Sequence, residues 1–173
     1  MLWYWPGFAR SVPSVQSYMP NDKPDKQFDA QQIDKLFDAE QLHDAARIGD
    51  VRQIEQLISG GRDPSAFDML GNTPLHYAAE GEHFDAVRVL LSHGANVNAC
   101  DEKSAGDSPI AYVAQTCSLE MAKLLLDAGA DPILPGSMQI NAIYRAKQRK
   151  RGNGPRVYEL MCLRAGISPR PKH

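Results

Sequence analysis

The chain has 173 residues, of which 43% are hydrophobic, and a formal net charge of −2 at pH 7; these values predict one domain with an ordinary core. The sequence has no apolar run of about 18 residues, so it contains no candidate transmembrane helix. Its N-terminus is a poor secretory signal, because no basic region precedes an apolar core and Pro6-Gly7 interrupts it early. The three cysteines form no Cys-x-x-Cys pair, which argues against a disulfide framework or a zinc site and favours reduced thiols in a cytoplasmic protein.

The charged residues are unevenly distributed along the chain. Residues 1–140 contain 10 Lys/Arg and 20 Asp/Glu, whereas residues 141–173 contain 9 Lys/Arg and a single acidic residue, Glu159. Such an asymmetry steers charged partners and favours head-to-tail association, so a homo-oligomer is one expectation.

Residues 1–29 are predicted to form a Pro-rich N-terminal extension, followed by a short capping helix over residues 30–37. The extension begins with an aromatic cluster: Trp3, Tyr4, Trp5 and Phe8. Large aromatic side chains are rarely left in water. Three alternatives remain open, namely packing on the rest of the chain, which is preferred, contact with a partner or a second copy, and insertion into a membrane interface. The membrane alternative is the weakest, because the cluster has no flanking basic residues.

A nine-residue pattern recurs in the rest of the chain at intervals of about 33 residues. Residues 71–79 read Gly-Asn-Thr-Pro-Leu-His-Tyr-Ala-Ala, and residues 106–114 read Gly-Asp-Ser-Pro-Ile-Ala-Tyr-Val-Ala. The aligned apolar positions keep the same spacing: Leu42, Leu75, Ile110 and Ile143. A period of this length predicts a solenoid of stacked helix-turn-helix units, which usually offers a binding surface rather than a reaction centre.

The pattern resembles the ankyrin repeat, which consists of a β-turn, a Thr-Pro-Leu-His-x-Ala opening and two antiparallel helices. The resemblance implies an all-α solenoid with β-turn fingers. Its units are repeat 1 (35–67), repeat 2 (68–100), repeat 3 (101–135) and a degenerate, basic C-terminal capping repeat with its tail (136–173).

Local signals in repeat 2 place both of its helices. Asp68–Gly71 indicates a turn, Thr73 is a candidate N-cap and Pro74 suits the first helical position. Glycines are expected to end the second helices in a left-handed conformation: Gly61, Gly94 and Gly129.

His43 and His76 occupy the histidine position of the ankyrin repeat, where the resemblance implies a structural hydrogen-bonding role. Once the repeat pattern is subtracted, the sequence retains no carboxylate pair, Ser-His-Asp set, phosphate-binding glycine loop or metal-ligand cluster. We therefore expect no catalytic residue, no cofactor and no metal.

Two regions are candidates for contact with a protein partner. In ankyrin proteins the position after the histidine and the position three residues later lie toward the concave face, and this selects Asp44, Tyr77, Tyr112, Arg145, Arg47, Glu80 and Gln115. The turn tips add Met69, Leu70, Glu102 and Lys103. Tyr77 and Tyr112 are expected to form an amphipathic platform. For Met69 and Leu70, packing on the neighbouring finger is the alternative to contact with a partner.

The fourth unit is expected to have a link between its helices that is about four residues longer than in the other units. The link carries a basic patch: Arg149, Lys150 and Arg151. It is interpreted either as a solvated terminal cap that steers an acidic partner or as a nucleic-acid contact, and the cap is favoured because no aromatic residues are interleaved with the charges.

Together these patterns predict a non-enzymatic module that sequesters, inhibits or bridges a protein partner through its concave face and turn tips. Small ankyrin proteins of this kind occur in bacteria, some as antidotes that neutralise a toxin, and this resemblance adds an immunity-type role as a subsidiary expectation. The alternative is binding of nucleic acid or of an acidic partner through the basic fourth unit.

Overall fold

A computed structural model describes residues 40–101 and 106–169 of the chain. The N-terminal extension, the capping helix predicted at 30–37 and the turn residues Glu102 and Lys103 lie outside these residues. Within them, all the regular secondary structure is helical. The elements are α1 (residues 40–48 of the described part), α2 (Val51–Ser59), α3 (Pro74–Glu80), α4 (Phe84–Ser92), α5 (Pro109–Val113), α6 (Leu119–Asp127), a 3₁₀ turn (Ser137–Gln139), α7 (Ala142–Gln148) and α8 (Gly154–Arg164).

The helices pack as pairs, and the pairs stack on one another. Within the units, α3 contacts α4, α5 contacts α6 and α7 contacts α8. Between units, α5 lies between α3 and α7, while α2 packs on α4 and α6 packs on α8. This stacking of helical hairpins confirms the predicted all-α solenoid.

The core lies between the helix layers and is formed by the aligned repeat positions. Leu42, Leu75 and Ile110 are buried, whereas Ile143 of the degenerate fourth unit is only partly buried. The small residues at Ala78 and Ala79 are also buried, which lets neighbouring helices approach closely. The side chains of each unit therefore fill space that one helical hairpin cannot close by itself.

Glycine ends the second helix of each of the first three units, as predicted. Gly61, Gly94 and Gly129 have φ values of 92°, 86° and 93°, in the left-handed region that side chains with a Cβ rarely adopt. These glycines turn the chain out of the second helix, so the next finger begins at the equivalent position in each unit.

The link between α7 and α8 is two residues longer than its counterparts, so the predicted excess of about four residues was wrong. The buried residues Ala146 and Val157 are 11 positions apart, whereas Ala78 and Val87 are 9 positions apart. The loop is tight because a Cβ at Gly154 would collide with the carbonyl of Arg149. The absence of a side chain there lets α8 begin directly after the loop closes.

Candidate protein-binding surface

The finger between α2 and α3 is held in shape by Asp68. The N–H of Asp68 donates to the carbonyl of Asn72 at 2.9 Å, and the N–H of Gly71 donates to the carbonyl of Asp68 at 3.1 Å. Oδ1 of Asp68 accepts from the N–H groups of Leu70 at 2.8 Å and Asn72 at 2.9 Å. Such an Asx-type arrangement fixes the backbone of the turn by hydrogen bonds within the turn itself.

The tip of this first finger presents two adjacent apolar side chains to solvent. Met69 is 85% exposed and Leu70 is 72% exposed. The described residues of the neighbouring finger therefore leave both side chains uncovered. Their exposure leaves them available to a partner, and contact with one stays a prediction.

A third exposed apolar tip residue, Met138, was missed by the sequence analysis. It is 88% exposed on the finger before α7. The turn there repeats the first finger, since the N–H of Gly136 donates to the carbonyl of Ile140 at 3.1 Å. Met138 lies three residues before the N-cap Asn141, just as Leu70 lies three residues before the N-cap Thr73. This spacing would have identified the tip.

Tyr77 is not the exposed platform that the sequence analysis expected, because only 6% of its surface is accessible. Its hydroxyl donates to Oδ2 of Asp68 at 2.6 Å, and the guanidinium of Arg47 lies over its ring, with Cζ 4.4 Å from the centroid. Burial raises the pKa of Tyr77, and the bond to Asp68 raises it further. Tyr77 thus joins the finger to the helix layer.

The carboxyl group of Asp68 stays ionised in this arrangement. Burial acts to raise the pKa of Asp68, but hydrogen bonds from Tyr77, Asn72 and Leu70 together outweigh burial and lower it. A negative charge is therefore held at the base of the first finger at neutral pH.

Tyr112 differs from Tyr77 although it occupies the same position in the next unit. It is half-buried, packs edge-to-face on His76 at a centroid distance of 5.6 Å, and its hydroxyl lies 3.5 Å from Oε2 of Glu80. Burial raises its pKa, and the charge of Glu80 adds to the effect. Tyr112 keeps accessible surface, and the predicted stripe residues Glu80 and Gln115 are exposed.

A cleft of about 280 Å³ lies between α1 and the first finger. Its lining residues are Glu40, His43, Asp44, Arg47, Asp68, Met69, Leu70 and Tyr77. NH1 of Arg47 donates to Oδ1 of Asp44 at 2.6 Å in an exposed ion pair. The cleft thus brings the predicted tip residues Met69 and Leu70 together with Asp44, Arg47 and Tyr77 of the predicted stripe, but not with Glu80.

The histidines have the structural role that the resemblance implied. Nδ1 of His76 accepts from the N–H of Thr73 at 2.9 Å. This bond places the ring proton on Nε2, which donates to the carbonyl of Asp107 in the next finger at 2.8 Å. Nε2 of His43 lies 3.0 Å from the carbonyl of Ala66 and 3.1 Å from that of Asn72. Each ring therefore ties a first helix to the backbone of a finger.

Arg145 is held by its neighbours and is not a free contact residue on the concave face. Its guanidinium bonds to Asp107, with distances of 2.9 and 2.8 Å to Oδ1 and Oδ2, and to Oγ of Ser137 at 3.0 Å. Only 21% of the Arg145 side chain and 12% of the Asp107 side chain are exposed. The pair ties α7 to the finger before α5, and the bond to Ser137 adds the finger before α7.

In the basic patch of the fourth unit, one residue is held by a neighbouring unit and two are exposed. NH1 of Arg149 donates to the carbonyl of Cys117 at 2.6 Å, which ties the loop to repeat 3. Lys150 and Arg151 are exposed. Two of the three predicted patch residues therefore remain open to a partner.

The titratable groups of residues 40–101 and 106–169 include no cluster of three or more His, Cys, Asp or Glu side chains arranged to hold a metal ion. Cys100, Cys117 and Cys162 form no disulfide with one another. Burial raises the pKa of Cys117 to about 11, which leaves that thiol protonated and unreactive at neutral pH. Over the same part of the chain, no helix has the length and apolar character needed to span a bilayer.

Comparison with known proteins identifies the repeat. A family profile described as "Ankyrin repeats (3 copies)" matches residues 42–135, more than half of the chain. The NF-kappa-B inhibitor cactus of Drosophila yakuba is 34% identical over 97 residues, which cover 53% of this chain and 20% of that protein. The ankyrin repeat and KH domain-containing protein mask-1 of Caenorhabditis elegans is 36% identical over 93 residues, which cover 54% of this chain and 4% of mask-1.

A plant protein aligns over a longer stretch. The putative E3 ubiquitin-protein ligase XBAT34 of Arabidopsis thaliana is 30% identical over 129 residues, which cover 73% of this chain and 34% of XBAT34. The chain thus spans about a third or less of these relatives, and what it shares with them is the repeat itself. Ankyrin repeats are a non-catalytic fold that mediates protein–protein interaction. The family profile, the repeat spacing and the stacked helical hairpins together show that this chain belongs to the ankyrin repeat family.

Proposed function

We propose that this chain is a non-enzymatic, cytoplasmic binding module that holds a protein partner at its finger tips and on the adjoining concave face. One observation carries the proposal: Met69 and Leu70 are both largely exposed on a turn that Asp68 holds in place. Single exposed apolar residues are common, but two adjacent ones beside a cleft are typical of an interaction site. Burying one such side chain contributes about 1.5–3 kcal/mol, or roughly 10- to 150-fold in Kd.

Inhibition by sequestration is the form of this activity that we place first. Cactus, one of the relatives that align with the repeats, is described as an inhibitor of NF-kappa-B. Neutralisation of a bacterial toxin is a narrower form of the same activity, and we place it lower because the relatives named above come from animals and a plant. Bridging of two proteins would use the same tips and concave face. A homo-oligomer formed through the charge asymmetry or through the aromatic cluster at Trp3, Tyr4, Trp5 and Phe8 stays a prediction.

Replacing Leu70 with serine is expected to weaken partner binding about ten-fold or more, because the partner would lose an apolar contact at the tip. The partner is first captured on the immobilised full chain and identified by mass spectrometry. Its Kd is then measured by biolayer interferometry for the wild type, Leu70→Ser and Met69→Ser. Both substitutions are expected to raise the dissociation rate more than they lower the association rate.

Leu163→Ser is the matched control, since Leu163 is a leucine of similar exposure, 74%, on α8 at the far end of the stack. Both leucines are surface residues, so neither substitution is expected to change the midpoint of urea unfolding measurably. If Leu70→Ser and Leu163→Ser bind the partner equally well, the first finger is not the contact surface.

Nucleic-acid binding through the fourth unit is the second candidate, and the exposed Lys150 and Arg151 favour it. We place it second because Arg149 is bonded to the backbone of repeat 3. Fluorescence anisotropy with duplex DNA and single-stranded RNA at 50 mM and 200 mM salt is expected to show no saturable binding. Binding that falls steeply with salt and is lost in Lys150→Ala/Arg151→Ala would establish the second candidate instead.

A further inference from the structure

We propose that the cleft between α1 and the first finger is an arginine-binding subsite, which the chain's own Arg47 fills until an arginine of the partner displaces it. The proposal rests on the function proposed above, because the same partner would supply both the arginine and the apolar contact at Met69 and Leu70. The class of ligand is therefore a protein segment in which an arginine adjoins an apolar residue.

The first step is that a guanidinium already sits in the cleft. Cζ of Arg47 lies 4.4 Å from the centroid of the Tyr77 ring, and NH1 of Arg47 donates to Oδ1 of Asp44 at 2.6 Å. An aromatic face below a planar cation and a carboxylate at its edge are the two contacts that select arginine over lysine. Arg47 shows which chemical group the cleft accepts.

The second step is that the floor of the cleft is fixed independently of Arg47. The hydroxyl of Tyr77 donates to Asp68 at 2.6 Å, and the ring packs edge-to-face on His43, with centroids 6.0 Å apart. Asp68 is in turn bonded to the backbone of the finger. The aromatic face therefore stays in place when the cation above it is exchanged, which reduces the cost of binding an external arginine.

The third step is that Arg47 is held weakly. Its side chain is 53% exposed, that of its partner Asp44 is 67% exposed, and the two residues are neighbours on one helix. Exposed ion pairs of this kind contribute little, because water screens them and holding two long side chains costs entropy. Arg145 provides the contrast, since its side chain is only 21% exposed and is bonded to both Asp107 and Ser137.

The charge and shape of the cleft select a cationic and apolar ligand. Glu40, Asp44 and Asp68 line it with three carboxylates, and Arg47 is the single Lys or Arg among the lining residues. An acidic ligand would therefore be repelled as soon as Arg47 moved away. Met69 and Leu70 line the same cleft, so an apolar residue next to the arginine has a surface to cover.

The test uses a short peptide, acetyl-Leu-Arg-Leu-amide, and a control in which citrulline replaces arginine, because citrulline has nearly the same shape and no charge. Each peptide is titrated into the full chain with ¹³C-labelled tyrosine rings, observed by NMR, with the Tyr77 signal assigned from Tyr77→Phe. Arg47→Ala is expected to bind the arginine peptide about 5-fold more tightly than the wild type, because no internal guanidinium competes. The shift is expected at the Tyr77 ring, and the citrulline peptide is expected to cause none.

Asp44→Asn in the Arg47→Ala background completes the experiment, since it removes the carboxylate at the edge of the site and is expected to weaken peptide binding several-fold. The proposal is overturned if Arg47→Ala binds the arginine peptide no more tightly than the wild type, or if citrulline binds as well as arginine. If the peptide test fails but Leu70→Ser still weakens partner binding, only this subsite is refuted. If the peptide binds at Tyr77 but Leu70→Ser leaves the affinity for the partner unchanged, the proposed function is refuted and the subsite remains.

Discussion

Replacing His76 with alanine is expected to lower the free energy of unfolding by about 3 kcal/mol at pH 7.5. The imidazole is fully buried, and its two nitrogens bond the N–H of Thr73 and the carbonyl of Asp107. Alanine would leave both backbone groups without these partners and would also leave a cavity. Each buried polar group that loses its partner costs about 1–3 kcal/mol, so the two bonds alone account for an effect of this size.

The same substitution is expected to matter less at pH 5. Burial lowers the pKa of His76 in the folded state from its ordinary value of 6.5. Between the folded-state pKa and about pH 6.5, the unfolded chain therefore binds more protons than the folded chain. The contribution of His76 is therefore fully present above about pH 6.5 and is lost as the pH falls through the folded-state pKa. Urea unfolding followed by circular dichroism at pH 7.5 and pH 5, for the wild type and His76→Ala, measures the difference directly.

His93→Ala is the control, because His93 is an exposed histidine at the end of α4. Its Nδ1 lies 2.9 Å from the carbonyl of Val89, and its loss is expected to change the free energy of unfolding by about 0.5 kcal/mol or less. A loss for His76→Ala that is equally large at both pH values would contradict the assignment of a neutral, buried imidazole.

The part of the fold that repeats could be predicted from the sequence, because it depends on local signals. Leu42, Leu75 and Ile110 are buried in the frame that their spacing predicted. Gly94 ends its helix in the left-handed conformation because only a glycine adopts it without strain. Each of these features is decided by the identity of the residue and by its distance along the chain from its neighbours.

The properties of individual surface positions could not be predicted, because they depend on side chains from other units. Tyr77 and Tyr112 occupy equivalent positions, yet Tyr77 is covered by Arg47 from the preceding unit and Tyr112 is not. Arg145 appears in the sequence as a contact residue, but Asp107, 38 positions earlier, neutralises it. Pairings over such distances are set by rotamers in the stacked structure and leave no local pattern in the sequence.

Replacing Tyr77 with alanine is expected to lower the free energy of unfolding by about 3–5 kcal/mol, the range observed for large aromatic residues in cores. The substitution would remove a nearly buried ring, the contact under Arg47 and the hydroxyl that bonds Asp68. Tyr77→Phe isolates the last of these and is expected to cost about 1–2 kcal/mol, because the acceptor is charged and only partly accessible. Urea unfolding of both variants at pH 7.5 gives the two values.

Tyr112→Phe is the matched control, since it removes a hydroxyl from the equivalent position of the next unit, where the distance to Glu80 is 3.5 Å. It is expected to change the free energy of unfolding by about 0.5 kcal/mol or less. If Tyr77→Phe costs as little as Tyr112→Phe, the bond between Tyr77 and Asp68 does not hold the first finger. Met69 and Leu70 would then sit on a turn held only by its own hydrogen bonds and by His43, and a partner would have to order the finger tip as it binds. Binding would lose the advantage of a preformed tip, and Leu70→Ser would weaken it less than about ten-fold.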